Sequence, residues 1–364
     1  MKFSADVQVM QDAIASVIKA LPVRTTMPAL EGIYMEVKDN TLLLRCSDLL
    51  LQKECTVNVE MEQEGSAVIP AKIFAEFIRK LPPQAAHFAL TDNSVSIRCG
   101  KTRNRFQCIE CEEFPAMRTS GEDNTLHISA EKLRAAILRV SFATGQDESR
   151  PALTGAYLEA NENNLTMVAT DSFQLALQNV ILDIPCNPIK TIIPGKALHE
   201  LGRMLEGETE AVQLVFTKTH LKLDMPGSGL VTRLIDGNYI DYRRILPQNS
   251  KIRMLVNKED LFSCVDRAQL VAREGSNSIV LKLQDNYMSV SAQSGVGIFH
   301  EEIEIQLSGD ELEIAFNPKY ILNVLKGIDE ENLYMEFMSA VNPCKVHGTQ
   351  DDSYLYLIVP MRLY

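Results

Sequence analysis

Four pairs of basic residues stand seven positions apart: Lys72 with Arg79, Lys132 with Arg139, Lys196 with Arg203, and Lys319 with Lys326. On a helix, seven residues are about 700° of rotation and roughly 10 Å of rise, so both members of a pair leave one face. Such a face is either a solvated stripe opposite an apolar one or a surface for a run of phosphates. Four recurrences in one chain weigh toward phosphates. Other arrangements offer little chemistry. Cys108-Ile-Glu-Cys111 is a lone C-x-x-C with no second pair and no nearby histidine, as expected of thiols flanking a strand and not of a zinc or redox centre. Gly100-Lys101-Thr102 has the closing residues of a phosphate loop, but Val95 replaces the first glycine and a strand follows where a helix is needed. Gly295-Val296-Gly297 is half a dinucleotide fingerprint and reads as a turn. His199-Glu200 lacks a second histidine, and Gly227-Ser228-Gly229 lacks a nucleophile-elbow setting. No catalytic residue, cofactor or metal is expected.

The elements that must position the basic pairs repeat with them. Ile69–Leu81, Ile193–Leu205 and Asn317–Asp329 are related segments whose prolines are Pro70, Pro194 and Pro318, so that 194 − 70 and 318 − 194 both equal 124. A period this long is a repeated domain and not a solenoid unit. Asp39-Asn40, Asn163-Asn164 and Asp285-Asn286 keep the same beat as turns between alternating apolar runs. Each unit is expected to open on a strand and a polar cap (Ser4, Ser129, Asn257), followed by helices over Val7–Ala20, Ala130–Ser141 and Lys258–Ala272. Strands then flank the repeated helix, for example Gly32–Val37 with Leu42–Cys46, and Tyr157–Glu159 with Leu165–Ala169. The expected fold is α+β: three similar domains, each two helices laid on antiparallel sheet, at 1–120, 121–249 and 250–364.

Composition sets a constraint on any nucleic-acid partner. With 46% hydrophobic and 23% charged residues the chain is an ordinary globular one, and its net charge is −12. No apolar run approaches a membrane span and eight cysteines are scattered, so a reducing cytoplasm and no membrane partner are expected. The predicted helices together carry +7, leaving −12 − 7 = −19 for the rest. If the helices share a surface, that surface can face a polyanion while the remainder repels it. Lys101, Arg103 and Arg105 form a basic edge strand, and Glu301, Glu302 and Glu304 an acidic one. The pair suits head-to-tail contact between two copies, although charge on an edge also protects it from aggregation.

The opening MKF, Arg24-Thr25-Thr26-Met27-Pro28, Val168-Ala169-Thr170-Asp171-Ser172, Asp241-Tyr242-Arg243-Arg244-Ile245-Leu246-Pro247 and Val359-Pro360-Met361-Arg362-Leu363 resemble the bacterial sliding clamp family, the beta subunits of DNA polymerase III. The resemblance spans the chain. It implies a head-to-tail homodimeric ring with helices on its inner wall, encircling duplex DNA. It implies tethering of DNA polymerase III subunits, other polymerases and repair proteins, opening by an ATP-driven clamp loader, and no hydrolysis by the clamp itself. Weak, non-specific phosphate contact then suffices despite the acidity, because the link is topological. By the resemblance Arg24, Lys72 and the loop around Gln146 face DNA. The helix bases Arg79, Lys80, Lys132, Arg134, Arg139, Lys196 and Arg203 are added on charge.

The resemblance further implies a pocket for an extended peptide bearing a glutamine and hydrophobic anchors. Its matching positions are Leu153, Thr170, Ser172, Phe173, Gln174, Leu175, Ile240, Arg244, Ile245, Val341, Pro343, Leu357, Val359, Pro360 and Met361. Aliphatic walls with a few polar groups suit that task. The chain departs from the family pattern at Phe173-Gln174, where histidine and arginine are common, at Ile240, where proline is frequent, and by the extra Tyr364. Phe106, Leu270 and Val271, with Arg103, Arg105, Glu301 and Glu302, are expected at the dimer seam. The rivals are a phosphate-binding enzyme using Gly100-Lys101-Thr102 and a clamp-like peptide-binding decoy that no longer encloses DNA.

Overall fold

The computed structural model describes residues 1–110, 114–117 and 124–362. Six α-helices occur among them: α1 (Val7–Val17), α2 (Ala71–Arg79), α3 (Ala130–Ser141), α4 (Gly195–Met204), α5 (Lys258–Ala272) and α6 (Pro318–Lys326). Their starts follow local chemistry. Asn257 accepts from the amides of Glu259 (2.9 Å) and Asp260 (3.2 Å), and Ser129 from that of Lys132 (3.5 Å). Ser4, the expected cap of α1, instead lies in the strand Lys2–Asp6 with its hydroxyl 2.7 Å from Nδ1 of His87. The strand runs on to Asp6, and that carboxylate accepts from Gln8 and Val9. Pro70 and Pro194 precede α2 and α4, whereas Pro318 is already inside α6 and Asn317 caps it. The structural period therefore follows the bases and not the prolines. Lys72, Lys196 and Lys319 are each the second residue of their helix; Arg79, Arg203 and Lys326 are each the ninth.

Two of the expected turns form. Asp39 and Asn40 have φ of 50° and 58°, the left-handed pair that closes a tight hairpin with Lys38 opposite Thr41. Asp285-Asn286 closes Ile279–Gln284 on Tyr287–Ser294. Asn163-Asn164 is no turn. It lies inside one strand, Gly155–Thr170, where Glu162 (φ 51°) marks a bulge and the register with Gln174–Pro194 slips on both sides. A bulge adds a residue and interrupts the apolar alternation, which in sequence looks like the end of a strand.

The chain packs as two compact units. The first contains residues 1–127 and 211–234. Helix α1 buries Val7, Met10, Ile14 and Val17, and α2 buries Ala71, Phe74 and Ile78, the spacing of one helical face. Phe3 stacks on Phe88 with centroids 4.7 Å apart. Residues 211–234 belong here because Ser228–Arg233 pairs antiparallel with Leu51–Asn58, Val231 opposite Gln52. Thus a segment of the expected second domain completes a sheet of the first.

The second unit contains residues 128–210 and 235–364. One ten-stranded sheet runs through it, and its key joint is the antiparallel pairing of Gln174–Gln178 with Tyr354–Ile358. Helix α3 packs Leu133, Ala136, Ile137 and Val140 inward, and α5 packs Leu261, Val265 and Ala268. Just past α6, Gly327 lies under Tyr356, whose hydroxyl donates to the Gly327 carbonyl at 2.9 Å. A Cβ on Gly327 would overlap that hydroxyl, and Tyr356 is fully buried and cannot swing aside. Gly327→Ala is therefore expected to cost about 2 kcal/mol, read as a lower urea midpoint, with partial recovery when Tyr356→Phe is added. An unchanged midpoint would refute the close contact.

Candidate nucleic-acid and partner-binding surfaces

The basic pairs do not share one environment. On α2, Lys72 and Arg79 are exposed, as is Lys80 just beyond it, and none has an acidic partner among the described residues. Gln11 pins the end of this helix, donating to the carbonyls of Ile78 (2.9 Å) and Arg79 (3.3 Å). Arg24 and Gln146 are exposed in loops. The α3 and α4 bases differ. Lys132 pairs with Asp183 at 2.9 Å, Arg134 with Glu206 at 3.3 Å and Arg203 with Glu200 at 2.6 Å. Lys196 is exposed but also engaged within the chain.

Arg139 departs furthest from the expected solvent-facing stripe. Its side chain is only 17% exposed, with Nη2 2.9 Å from Asp329 and Nη1 3.1 Å from Asp351. Nη1 also donates to Gln178 Oε1 at 3.0 Å, and the guanidinium lies 4.3 Å from the Tyr354 ring centroid. Burial works against the Arg139 charge, but the hydrogen bond and charge of Asp329 outweigh it. Burial likewise works against the Asp351 carboxylate, but hydrogen bonds from Ser353 and the charge of Arg139 hold its pKa below the usual value. This residue fastens α3 to the loops after α6 and before the last strand, so its charge is spent inside the protein.

The expected peptide positions divide into a cavity, a core and a surface. A cavity of about 820 Å³ brings together Phe173, Val359, Pro360 and Met361 and adds Asn317 and Tyr320, which sequence reasoning missed. Their signal was the third repeat, where Asn-Pro-Lys-Tyr replaces the Ile-Pro-Ala-Lys and Ile-Pro-Gly-Lys of the others. Phe173 is 53% exposed and stacks on Tyr320, centroids 6.0 Å apart and planes 10° from parallel. A tight turn presents it. Asp171 Oδ1 accepts from the amides of Phe173 (2.8 Å) and Gln174 (2.9 Å), the Thr170 hydroxyl donates to the Gln174 carbonyl (2.7 Å), and Ser172 has φ 82°. Arg150 donates to the Ser172 hydroxyl at 2.9 Å. The tail is stitched down by Val359 N to Phe173 O (2.8 Å) and Met361 N to Ala315 O (2.7 Å).

Gln174 does not offer its amide to a ligand. It is buried, donating to Asp171 Oδ2 (3.1 Å) and the Phe142 carbonyl (3.4 Å) and accepting from Asn323 (3.4 Å). Leu175 and Leu357 pack with Val168, Leu177 and Tyr242 in the core, and Leu153 is buried too. Ile240, Arg244 and Ile245 face out from the segment whose Tyr239, Tyr242 and Leu246 pack inward. Val341 is exposed, while Pro343 lines a separate cavity of about 350 Å³ with Pro247 and Met338. Tyr364 lies outside the described residues.

Of the expected seam residues, 103–106 and 301–302 sit on two unpaired strand edges, each within its own unit, and 270–271 on α5. Thr102–Gln107 ends its sheet and exposes Arg103 and Arg105, but Phe106 turns inward, its ring edge-on to Phe74 (5.7 Å) and Phe77 (5.4 Å). Residues 297–304 pair only with Tyr287–Ser294, whereas 305–308 pair with Ile252–Asn257. Glu302 is exposed, but Glu301 turns to Arg267 of α5, which holds its carboxyl below the usual range. Leu270 is exposed on α5 and Val271 partly covered. The phosphate-loop candidate is a hairpin tip, Gly100 (φ 55°) and Lys101 joining Cys99 to Thr102. Cys108 is buried, which pushes its thiol pKa up, and Cys111 lies outside the described residues.

Residues 1–118, 127–241 and 243–362 match the family models for the N-terminal, central and C-terminal domains of the DNA polymerase III beta subunit. The chain is 32% identical to the beta sliding clamp of Bacillus subtilis strain 168 over 378 residues, covering all of both proteins. It is 31% identical to that of Staphylococcus epidermidis RP62A, over 95% of each. The solved structure of a DNA polymerase sliding clamp from Bacillus subtilis matches with a TM-score of 0.94, and that of a DNA polymerase III beta subunit from Thermotoga maritima with 0.92 at 28% identity, each covering 100% of both chains.

The Arg139 cluster yields a pH-dependent expectation. Arg139→Met should lower stability by about 2 kcal/mol at neutral pH, because it strands a partly buried acid. A depressed carboxyl stabilises the fold above the ordinary aspartate range and stops doing so as pH falls through its folded value. Urea midpoints of wild type and Arg139→Met should therefore converge toward acid. Curves still parallel near about pH 3 would show that Asp351 is not the partner that matters.

Proposed function

The chain belongs to the DNA polymerase III beta subunit family and is a DNA sliding clamp; we propose that two copies close head to tail around duplex DNA. The carrying observation is the end-to-end match of all three family domains. In this reading Arg24, Lys72, Arg79, Lys80, Gln146 and Lys196 face the duplex. A net charge of −12 is compatible with it because the tether is the closed ring, and weak phosphate contact lets the ring slide. The seam joins the edge bearing Arg103 and Arg105 to the edge bearing Glu302 on a second copy, an added strand guided by opposite charge. Leu270 and Val271 supply apolar contact beside it. The protein acts in the cytoplasm and catalyses no reaction of its own.

Partners dock through the cavity between Phe173, Tyr320 and the Val359–Met361 tail. They are polymerase subunits, the clamp loader and repair proteins that carry a short extended peptide. Ile240, Arg244 and Ile245 extend that surface, while Leu153, Leu175 and Leu357 support it from the core. Gln174 acts only by holding the turn that presents Phe173.

Two measurements test these assignments. Protein loaded on nicked circular DNA should remain bound until the circle is cut and then be lost; equal retention on linear and circular DNA would overturn the ring. Phe173→Ala with Tyr320→Ala should weaken capture of a glutamine- and leucine-containing peptide at least about tenfold, since stacked aromatics commonly dominate such contacts. Unchanged affinity in a folded double variant would place the pocket elsewhere.

A further inference from the structure

The repeated basic pairs supply usable positive charge unevenly. On α3, Lys132, Arg134 and Arg139 are matched to Asp183, Glu206 and the pair Asp329 and Asp351. On α4, Arg203 is held by Glu200, a carboxylate itself only about 5% exposed that needs a counter-charge. On α5, Lys258 donates to the Ile328 carbonyl at 2.9 Å and Arg267 pairs with Glu301. Within the α-helices and at their ends, two sets of cations are exposed and without an acidic partner among the described residues: Lys72, Arg79 and Lys80 at α2, and Lys319 and Lys326 on α6; Lys19, in the turn that continues α1, is a single further one.

The chemistry separates these classes. An exposed, unpaired ammonium or guanidinium exchanges water and counterions for a phosphate oxygen, which is favourable at low salt. A cation already paired must first abandon its carboxylate, and the carboxylate left behind then repels the same phosphate. On α2 and α6 the two bases lie at the second and ninth positions of one face, a separation of roughly 10 Å.

We propose that duplex contact is carried by α2 and α6, with Lys319 and Lys326 as DNA-contacting residues, while the bases of α3 and Arg203 of α4 serve the fold. This rests on the reading of a ring around duplex DNA. It assigns the phosphate grip chiefly to the outer two repeats and leaves Lys196 and Gln146 as the middle repeat's contribution.

The test is the salt dependence of full-length protein binding to a short linear duplex, followed by fluorescence anisotropy. Each phosphate contact contributes about 0.9 to the slope of log K against log salt. Lys72→Gln, Arg79→Gln, Lys319→Gln and Lys326→Gln combined should flatten that slope by up to about 3 to 4 per chain. Lys132→Gln, Arg134→Gln and Arg203→Gln combined should leave it within about 1 unit of wild type while lowering the thermal midpoint. An unaltered slope in the first variant, or equal flattening in the second, overturns the assignment. Retention of wild-type protein on closed circles, measured in parallel, separates that failure from failure of the ring.

Discussion

The second unit depends on the antiparallel pairing of Gln174–Gln178 with Tyr354–Ile358. It carries the ribbon Gly155–Pro194 into the last strands of the chain, and both features of interest hang from its ends. At one end the strand turns through Ser172 and displays Phe173 against Tyr320. At the other, Gln178 and Tyr354 receive Arg139 from α3. The apolar core of Val168, Leu175, Leu177, Tyr242 and Leu357 packs in this region and removes water from it. The turn that bears Phe173 is thus set on paired backbone and not on a free loop, which favours a pre-formed cavity.

Much of this was legible in the residues because local chemistry and tertiary structure agreed. Helices α3 and α5 begin and end as their caps and apolar spacing require. Disagreement arose where one local signal competed with another. Ser4 is a good cap, yet it stands where the strand has not ended and Asp6 is the residue at the junction. Asn163-Asn164 has turn composition, yet the bulge at Glu162 lets the strand continue. The proline beat was regular, but a helix can start before or after a proline, and the bases kept the true register.

The site was less legible for a physical reason. Residue type gives a side chain's charge but not its neighbour. Arg139 and Arg79 occupy equivalent places in their pairs, and only the fold brings Asp329 and Asp351 to the first of them. Gln174 likewise has the chemistry of a ligand contact, but α6 supplies Asn323 and the end of α3 the carbonyl of Phe142. Tyr320 escaped notice because a tyrosine on a repeated helix reads as packing until its ring is seen beside Phe173.

In the proposed ring, the two unpaired strand edges make each molecule bifunctional in the polymer chemist's sense. One edge is basic, with Arg103 and Arg105, and the other acidic, with Glu302. Unlike edges that meet do not use each other up within one molecule, so a joined pair still presents one of each. Such monomers either cyclise or grow, and dilution favours cyclisation because the two remaining ends of a short chain meet at a fixed local concentration. In the proposed ring the stiffness of the joint between copies then selects the ring size, since a loose joint would permit open oligomers of many lengths.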